Sequence, residues 1–199
     1  MMYDYHVVLA AVSTFLYLGS FALYFRSIFL STTKPHPFTW FIWGLINVIA
    51  FFAQLAEGGG VGTAVTAAVA LGCLTIATLS LSRGEKQIVI IDWFCFLGAL
   101  LSIVLWQLTG NPLVAIVLIV ITDALALAPT FRKAYWKPHE EAALPYTVGV
   151  ISFLLQIAAF EVLNPTTVLY PAFIVVADSL LVVVLLLRRR QLATQAQKV

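Results

Sequence analysis

PLVAIVLIVITDALALAPTFRKAYWK, residues 112–137, decides how this chain is read. From Pro112 to Phe131 the only charge is Asp123; then Arg132, Lys133 and Lys137 follow in quick succession. About twenty apolar residues is what a helix needs to cross a hydrocarbon core of ~30 Å. Lys and Arg beside such a run mark the end kept in the cytoplasm. Residues 112–131 are therefore expected to span a membrane, ending on its cytoplasmic face.

The same pattern extends outward in both directions. The expected spans are 7–29, 38–56, 62–82, 88–109, 112–131, 145–161 and 168–187. Basic residues occupy only alternate gaps. Arg26 and Lys34 lie at the first, Arg83 and Lys86 at the third and Arg132, Lys133 and Lys137 at the fifth; Arg188, Arg189, Arg190 and Lys198 follow the last span. These are all eleven Lys and Arg residues of the chain. The expectation is an all-α membrane protein of seven transmembrane helices, N-terminus outside and C-terminus in the cytoplasm. Helix stops at Gly58-Gly59-Gly60, Gly110-Asn111-Pro112 and Asn164-Pro165 make the outer connections tight hairpins.

Composition agrees. Of 199 residues, 62% are hydrophobic and 10% charged, and mean hydropathy is +1.00. Soluble domains are nearer half apolar and a quarter charged, so no soluble domain fits beside seven spans. Basic residues spread over four membrane-proximal segments give nucleic-acid binding no support. Arg188 to Arg190 read as a stop-transfer anchor compatible with anionic lipid. The first residues lack the positive region of a signal peptide, so the first span is read as retained. Cys73 and Cys95 fall inside spans and read as buried free thiols. His6, His36 and His139 are too scattered for a metal site. Lys34-Pro35-His36 recurs as Lys137-Pro138-His139, which reads as loop chemistry. Trp106 and Trp136, at span ends, read as interfacial anchors, whereas Trp43 lies deeper.

An internal repeat accompanies the charge pattern. Gly44, Ile46, Asn47 and Ala53 match Gly149, Ile151, Ser152 and Ala158 at an offset of 105, as Arg83 matches Arg188. Phe25-Arg26 and Phe131-Arg132 end the first and fifth spans 106 apart. The expected organisation is a first three-helix repeat over 1–87, a linker helix over 88–111, a second repeat over 112–191 and a short polar tail, 192–199. A single connecting helix leaves the two repeats parallel. Transporters use such repeats, with a solute site between them.

Three carboxylates lie within spans. An Asp at a helix centre costs about 2.5–3.5 kcal/mol on insertion scales and is a functional candidate by default. Asp92 is about one turn from the cytoplasmic end, where Lys86 or Arg83 could pair with it. Asp123 and Asp178 stand near the middle of their spans with no Lys or Arg at their depth. They are protonated, hydrogen-bonded to polar neighbours, or await a cation or proton. Other spans carry polar stripes at helical spacing. Ser13, Tyr17, Ser20 and Tyr24 share one face; Trp40, Trp43, Asn47, Ala50, Gln54 and Glu57 share another; Gly149, Ser152, Gln156 and Ala159 a third. Such stripes serve helix packing or line a polar cavity. Pro129 permits a kink in its helix or ends it, and Pro171 reads as opening the last span.

In these features the chain resembles the PQ-loop and SWEET superfamily. That group includes sugar transporters, cystinosin-type amino-acid exporters, nicotinamide riboside transporters and KDEL receptors. Its signature is Pro-Gln near the cytoplasmic end of spans one and five. Here Pro129 is followed by Thr130, and the first repeat has Leu23-Tyr24 with no proline. The resemblance implies the 3+1+3 architecture over almost the whole chain, and a gating role for Pro129. It also implies cavity positions midway along the third span of each half, which Cys73 and Asp178 occupy. A thiol is a poor sugar ligand, and the acidic residues resemble proton-coupled members more.

The function expected is alternating-access transport of a small polar or cationic solute, with protons as a coupling partner. Tyr17, Trp43, Asn47, Asp123, Gln156 and Asp178 are the expected substrate-binding residues, with proton coupling at Asp123 and Asp178. The alternative is a receptor or assembly protein that docks partners on loop 132–141. No His cluster, Ser/His pair or ligand spacing supports an enzyme, and no metal or cofactor is expected. The absence of Lys from 168–187 argues against a retinal Schiff base. Expected partners are the solute and membrane lipids; a homo-oligomer stays open. The near absence of outer loops fits a plasma membrane, such as the bacterial inner membrane.

Overall fold

The computed structural model describes residues 4–31, 35, 37–84, 90–136, 138–140 and 143–196. Lys34, His36, Lys86, Lys137, Glu141 and Lys198 lie outside the described residues, as do the side chains of Asp92, Cys95, Trp106, Pro129, Arg132, Lys133 and Glu140. Readings that rest on them, including the Asp92 pairing and the docking loop, fall there too.

Seven α-helices and no strand are found among the described residues. They are α1 (Tyr5–Phe29), α2 (Pro37–Ala56), α3 (Ala64–Arg83), α4 (Ile90–Thr109), α5 (Pro112–Trp136), α6 (Ala143–Ala159) and α7 (Pro165–Ala196). Four helical stretches are long and apolar enough to cross a membrane: Tyr5–Phe29, Thr39–Ala56, Gly60–Arg83 and Pro165–Thr194. Pro112–Leu127 and Ala143–Ala159 are shorter apolar stretches. Large apolar side chains face outward along the bundle, such as Phe15 at 74% and Leu81 at 75% exposure. Faces of that kind need lipid rather than water, and the chain is an integral membrane protein.

Of the two readings of Pro129 the terminator is excluded, and Pro171 departs from its reading. Pro129 does not end α5, which continues to Trp136. Pro171 does not open α7 but lies inside it. The true start is set by Asn164, whose Oδ1 accepts from Thr167 N at 3.0 Å while Thr167 Oγ1 accepts from Asn164 N at 3.1 Å. This reciprocal cap satisfies end N–H groups, and Pro165 at the first helical position has none to satisfy. At the other end α7 runs well past the expected 187 to Ala196.

Packing follows one order in both triplets. α3 packs against both α1 and α2, and α7 packs against both α5 and α6. The triplets meet where α1 packs on α6 and where α2 packs on α5. α4 lies against α5 and α2. Glycines permit the close approaches: a Cβ on Gly44 would meet Leu74 of α3, and one on Gly149 would meet Asp178 of α7. In each triplet, then, the second helix brings its matched glycine against the third. Lipid gives helices no hydrophobic drive toward one another, so small residues and interhelical hydrogen bonds hold such contacts.

Arg83, Arg188 and Arg189 lie at one end of the bundle. Arg83 lies over the Phe29 ring, 5.1 Å from its centre. Arg188 donates to the Tyr135 carbonyl at 3.0 Å, and Arg189 to that of Pro138 at 3.0 Å. The expected anchor therefore also ties α7 to the end of α5. The opposite end carries Asp4, Glu57 and Glu161, with Val61 N donating to Glu161 Oε1 at 3.2 Å.

Candidate functional site

A cavity of about 520 Å³ lies between the two triplets. α1 lends it Tyr17, Ser20 and Tyr24; α2 lends Trp40, Trp43 and Asn47; α3 lends Val69 and Cys73. From the second triplet come Asp123 and Thr130 of α5, Tyr146 and Phe153 of α6, and Tyr170 and Asp178 of α7. Helical periodicity aims these residues inward. Tyr170, Ile174 and Asp178 recur every fourth residue, and Trp40, Trp43 and Asn47 step by three and four, so each set shares a face. α4 contributes no described residue to the wall.

Asp123 is 2% exposed and well supplied with donors. Trp43 Nε1 donates to its Oδ1 at 3.1 Å, and the Tyr170 hydroxyl donates to the same carboxylate. Asn47 stands behind this pair. Its Nδ2 donates to the Tyr170 hydroxyl at 3.1 Å and to the Trp43 carbonyl at 2.9 Å. Two helices thus cooperate to fix one carboxylate of a third.

Asp178 is treated differently. It is 8% exposed and lines the cavity, yet its carboxylate has no hydrogen-bond or ion-pair partner among the described residues. It rests against Gly149, where a Cβ would stand 2.8 Å from Oδ2. Asp123 and Asp178 are close enough for their charges to interact, and Tyr17 lies near both. No Lys, Arg or His is among the described lining residues.

The cavity extends from this level to the basic end, past Tyr24 and Ser27 on one side and Thr130 and Pro145 on the other. The opposite end is closed by bonds within and between the triplets. Thr66 Oγ1 donates to Gln54 Oε1 at 2.8 Å and accepts from Gln156 Nε2 at 2.6 Å. Ser13 Oγ donates to the Ser152 carbonyl at 2.5 Å, and Asn164 Nδ2 to that of Glu57 at 3.3 Å. Gly62 packs on the end of α6; a Cβ there would stand 2.8 Å from Phe160 N.

Of the six residues read as substrate-binding, Tyr17, Trp43, Asn47, Asp123 and Asp178 line the cavity. Gln156 is in the closed end, two helical turns beyond Gly149 on the same face. Sequence reading missed Tyr146, Phe153 and Tyr170. Only Tyr170 carried a signal, standing two turns before Asp178 on its face. Cys73 is a buried free thiol in the wall. Pro129 lies in α5 between the lining residues Leu127 and Thr130.

Comparison with protein-family models, curated proteins and solved structures finds no match.

Proposed function

We propose that this protein carries a small polar or cationic solute across a membrane by alternating access. The carrying observation is a cavity walled by both triplets, extending to one end of the bundle and closed at the other by hydrogen bonds between those triplets. A volume of about 520 Å³ falls in the usual ~300–1,000 Å³ of small-molecule sites. The proposed topology is seven spans with the basic end in the cytoplasm, and two parallel repeats joined by α4. The shared packing order of the triplets supports the repeat, and with it the kinship to the PQ-loop and SWEET superfamily.

In this reading the conformation described is open toward the cytoplasm. Solute enters past Thr130 and Tyr24 and reaches Asp178 and Tyr17. Asp123, held by Trp43 and Tyr170, sets the charge of the deep end. Rocking of one triplet on the other would break the bonds of Thr66, Ser13 and Asn164 and close the mouth near Pro129. Asp123 and Asp178 would exchange protons during the cycle. A repeat transporter with its site between the halves works in this way.

Uptake into proteoliposomes tests the proposal, with and without a pH gradient. Solute should accumulate, and Asp178→Asn or Asp123→Asn should lower the rate at least about tenfold, equivalent to ~1.4 kcal/mol. If both variants transport normally with unchanged response to the gradient, the assigned site is wrong.

A further inference from the structure

We infer that the cavity receives an organic cation, an amine or quaternary ammonium, with Asp178 as its counter-ion and aromatic faces as its walls. The inference rests on the proposed role of the cavity as the solute site and names the class of solute.

Charge comes first. Two carboxylates enter the wall, and no described lining residue is basic. An anion would meet like charge with nothing to offset it. The two carboxylates also differ in supply. Asp123 takes hydrogen bonds from Trp43 and Tyr170, whereas Asp178, nine-tenths buried, takes none. A buried carboxylate without donors is costly, and a cation entering the cavity is the partner the protein omits.

The rest of the wall separates kinds of cation. Metal ions want several oxygen ligands; Ca²⁺ takes six to eight. No group of three or more His, Cys, Asp or Glu residues able to hold a metal is found among the described residues. Aromatic rings are what the site offers instead. The centroids of Tyr24 and Trp40 are 4.8 Å apart, and those of Trp40 and Trp43 5.2 Å apart at 83°. Deeper, Tyr17 meets Phe153 edge-on at 5.6 Å. A ring face attracts an organic cation within about 6 Å of its centre, most strongly when both are desolvated.

A neutral polyol would find hydroxyl partners in the wall, Ser20, Thr39 and Thr130 among them, but it brings no charge to set against the two carboxylates. Both protons of the Asn47 amide are given to Trp43 and Tyr170 and its oxygen is buried away from the cavity, so Asn47 positions the wall rather than the solute.

The test is a titration of the full-length protein in lipid nanodiscs, read by Trp fluorescence. The probes are choline, 2-phenylethylamine and 3,3-dimethylbutan-1-ol, the last a neutral copy of choline's shape. At least one cation should bind, about tenfold or more tighter than the alcohol, since charge pairing and ring contact are both absent from the alcohol. Asp178→Asn should erase that preference, and Asp178→Glu should keep it. The wild-type comparison stands even if a variant does not fold. Equal affinity for cation and alcohol, binding of neither cation, or an undiminished preference in Asp178→Asn overturns the inference. Flux of a neutral solute without cation binding would leave the transport reading intact while removing this one. Cation binding with no flux of the cation would do the reverse.

Discussion

Gly149 has no Cβ, and the place where one would stand is 2.8 Å from Asp178 Oδ2. Gly149→Ala should therefore push the carboxylate off its rest, at an overpacking cost of about 1–3 kcal/mol. Solute affinity should fall about tenfold while the protein stays folded, which ligand titration beside a thermal melt would check. Unchanged affinity would mean that the carboxylate's position does not matter. At this scale much of the cavity lining was legible. Asp123 and Asp178 stand out because an uncompensated carboxylate in an apolar run is costly, and Tyr17, Trp43 and Asn47 follow from helical spacing. The partners were not legible. That Trp43 and Tyr170 serve Asp123 while Asp178 goes unserved depends on how α2 and α7 meet α5, which no local pattern encodes. Gln156 illustrates the same limit. It shares the face of Gly149, but a face says nothing about depth, and two turns carry it from the cavity into the closed end.

Among the helices, the ends decide more than the middles. Thr66 joins Gln54 of α2 to Gln156 of α6. Thr66→Val removes both bonds at once and leaves two buried amides short of partners, at about 1–3 kcal/mol. The closed end should loosen, seen as a lower melting temperature together with faster hydrogen exchange in residues 54–66. A melt as stable as wild type would show that these bonds do not hold the end shut. Arg188 makes a different contact, over the Tyr135 ring at 4.1 Å and onto the Tyr135 carbonyl, at the surface of the bundle. Arg188→Ala should cost less than about 1 kcal/mol, so a melt shifted by many degrees would contradict this placement. Helix boundaries were readable from Gly, Asn and Pro punctuation except at the end of α5, which runs past the expected 131 to Trp136, and at α7. There Asn164-Pro165 reads equally as a stop for the preceding span and a start for the next. The reciprocal bond to Thr167, three residues on, decides for a start and so encloses Pro171.

The molecule as a whole is two helix triplets and α4, with a cavity of aromatic rings and two carboxylates between the triplets and apolar faces outward. The placing of Lys and Arg in alternate gaps between apolar runs was readable from the outset, and the structure collects Arg83, Arg188 and Arg189 with their partners at one end. The closed end was not readable, because its bonds join residues some 90 to 150 apart in the chain, such as Gln156 with Thr66 and His6 with Ala159. Alternating access requires the cavity to be reached from each face in turn, and thiol labelling measures that reach directly. Ser20, in the cavity wall, is changed to Cys in a protein whose Cys73 and Cys95 are replaced by Ser. A membrane-impermeant maleimide is then added to either face of oriented vesicles. Cys at position 20 should react from the face bearing the basic residues, and in the Thr66→Val background from the other face as well. Reaction from neither face, or from the basic face alone in both backgrounds, would contradict alternating access through this cavity.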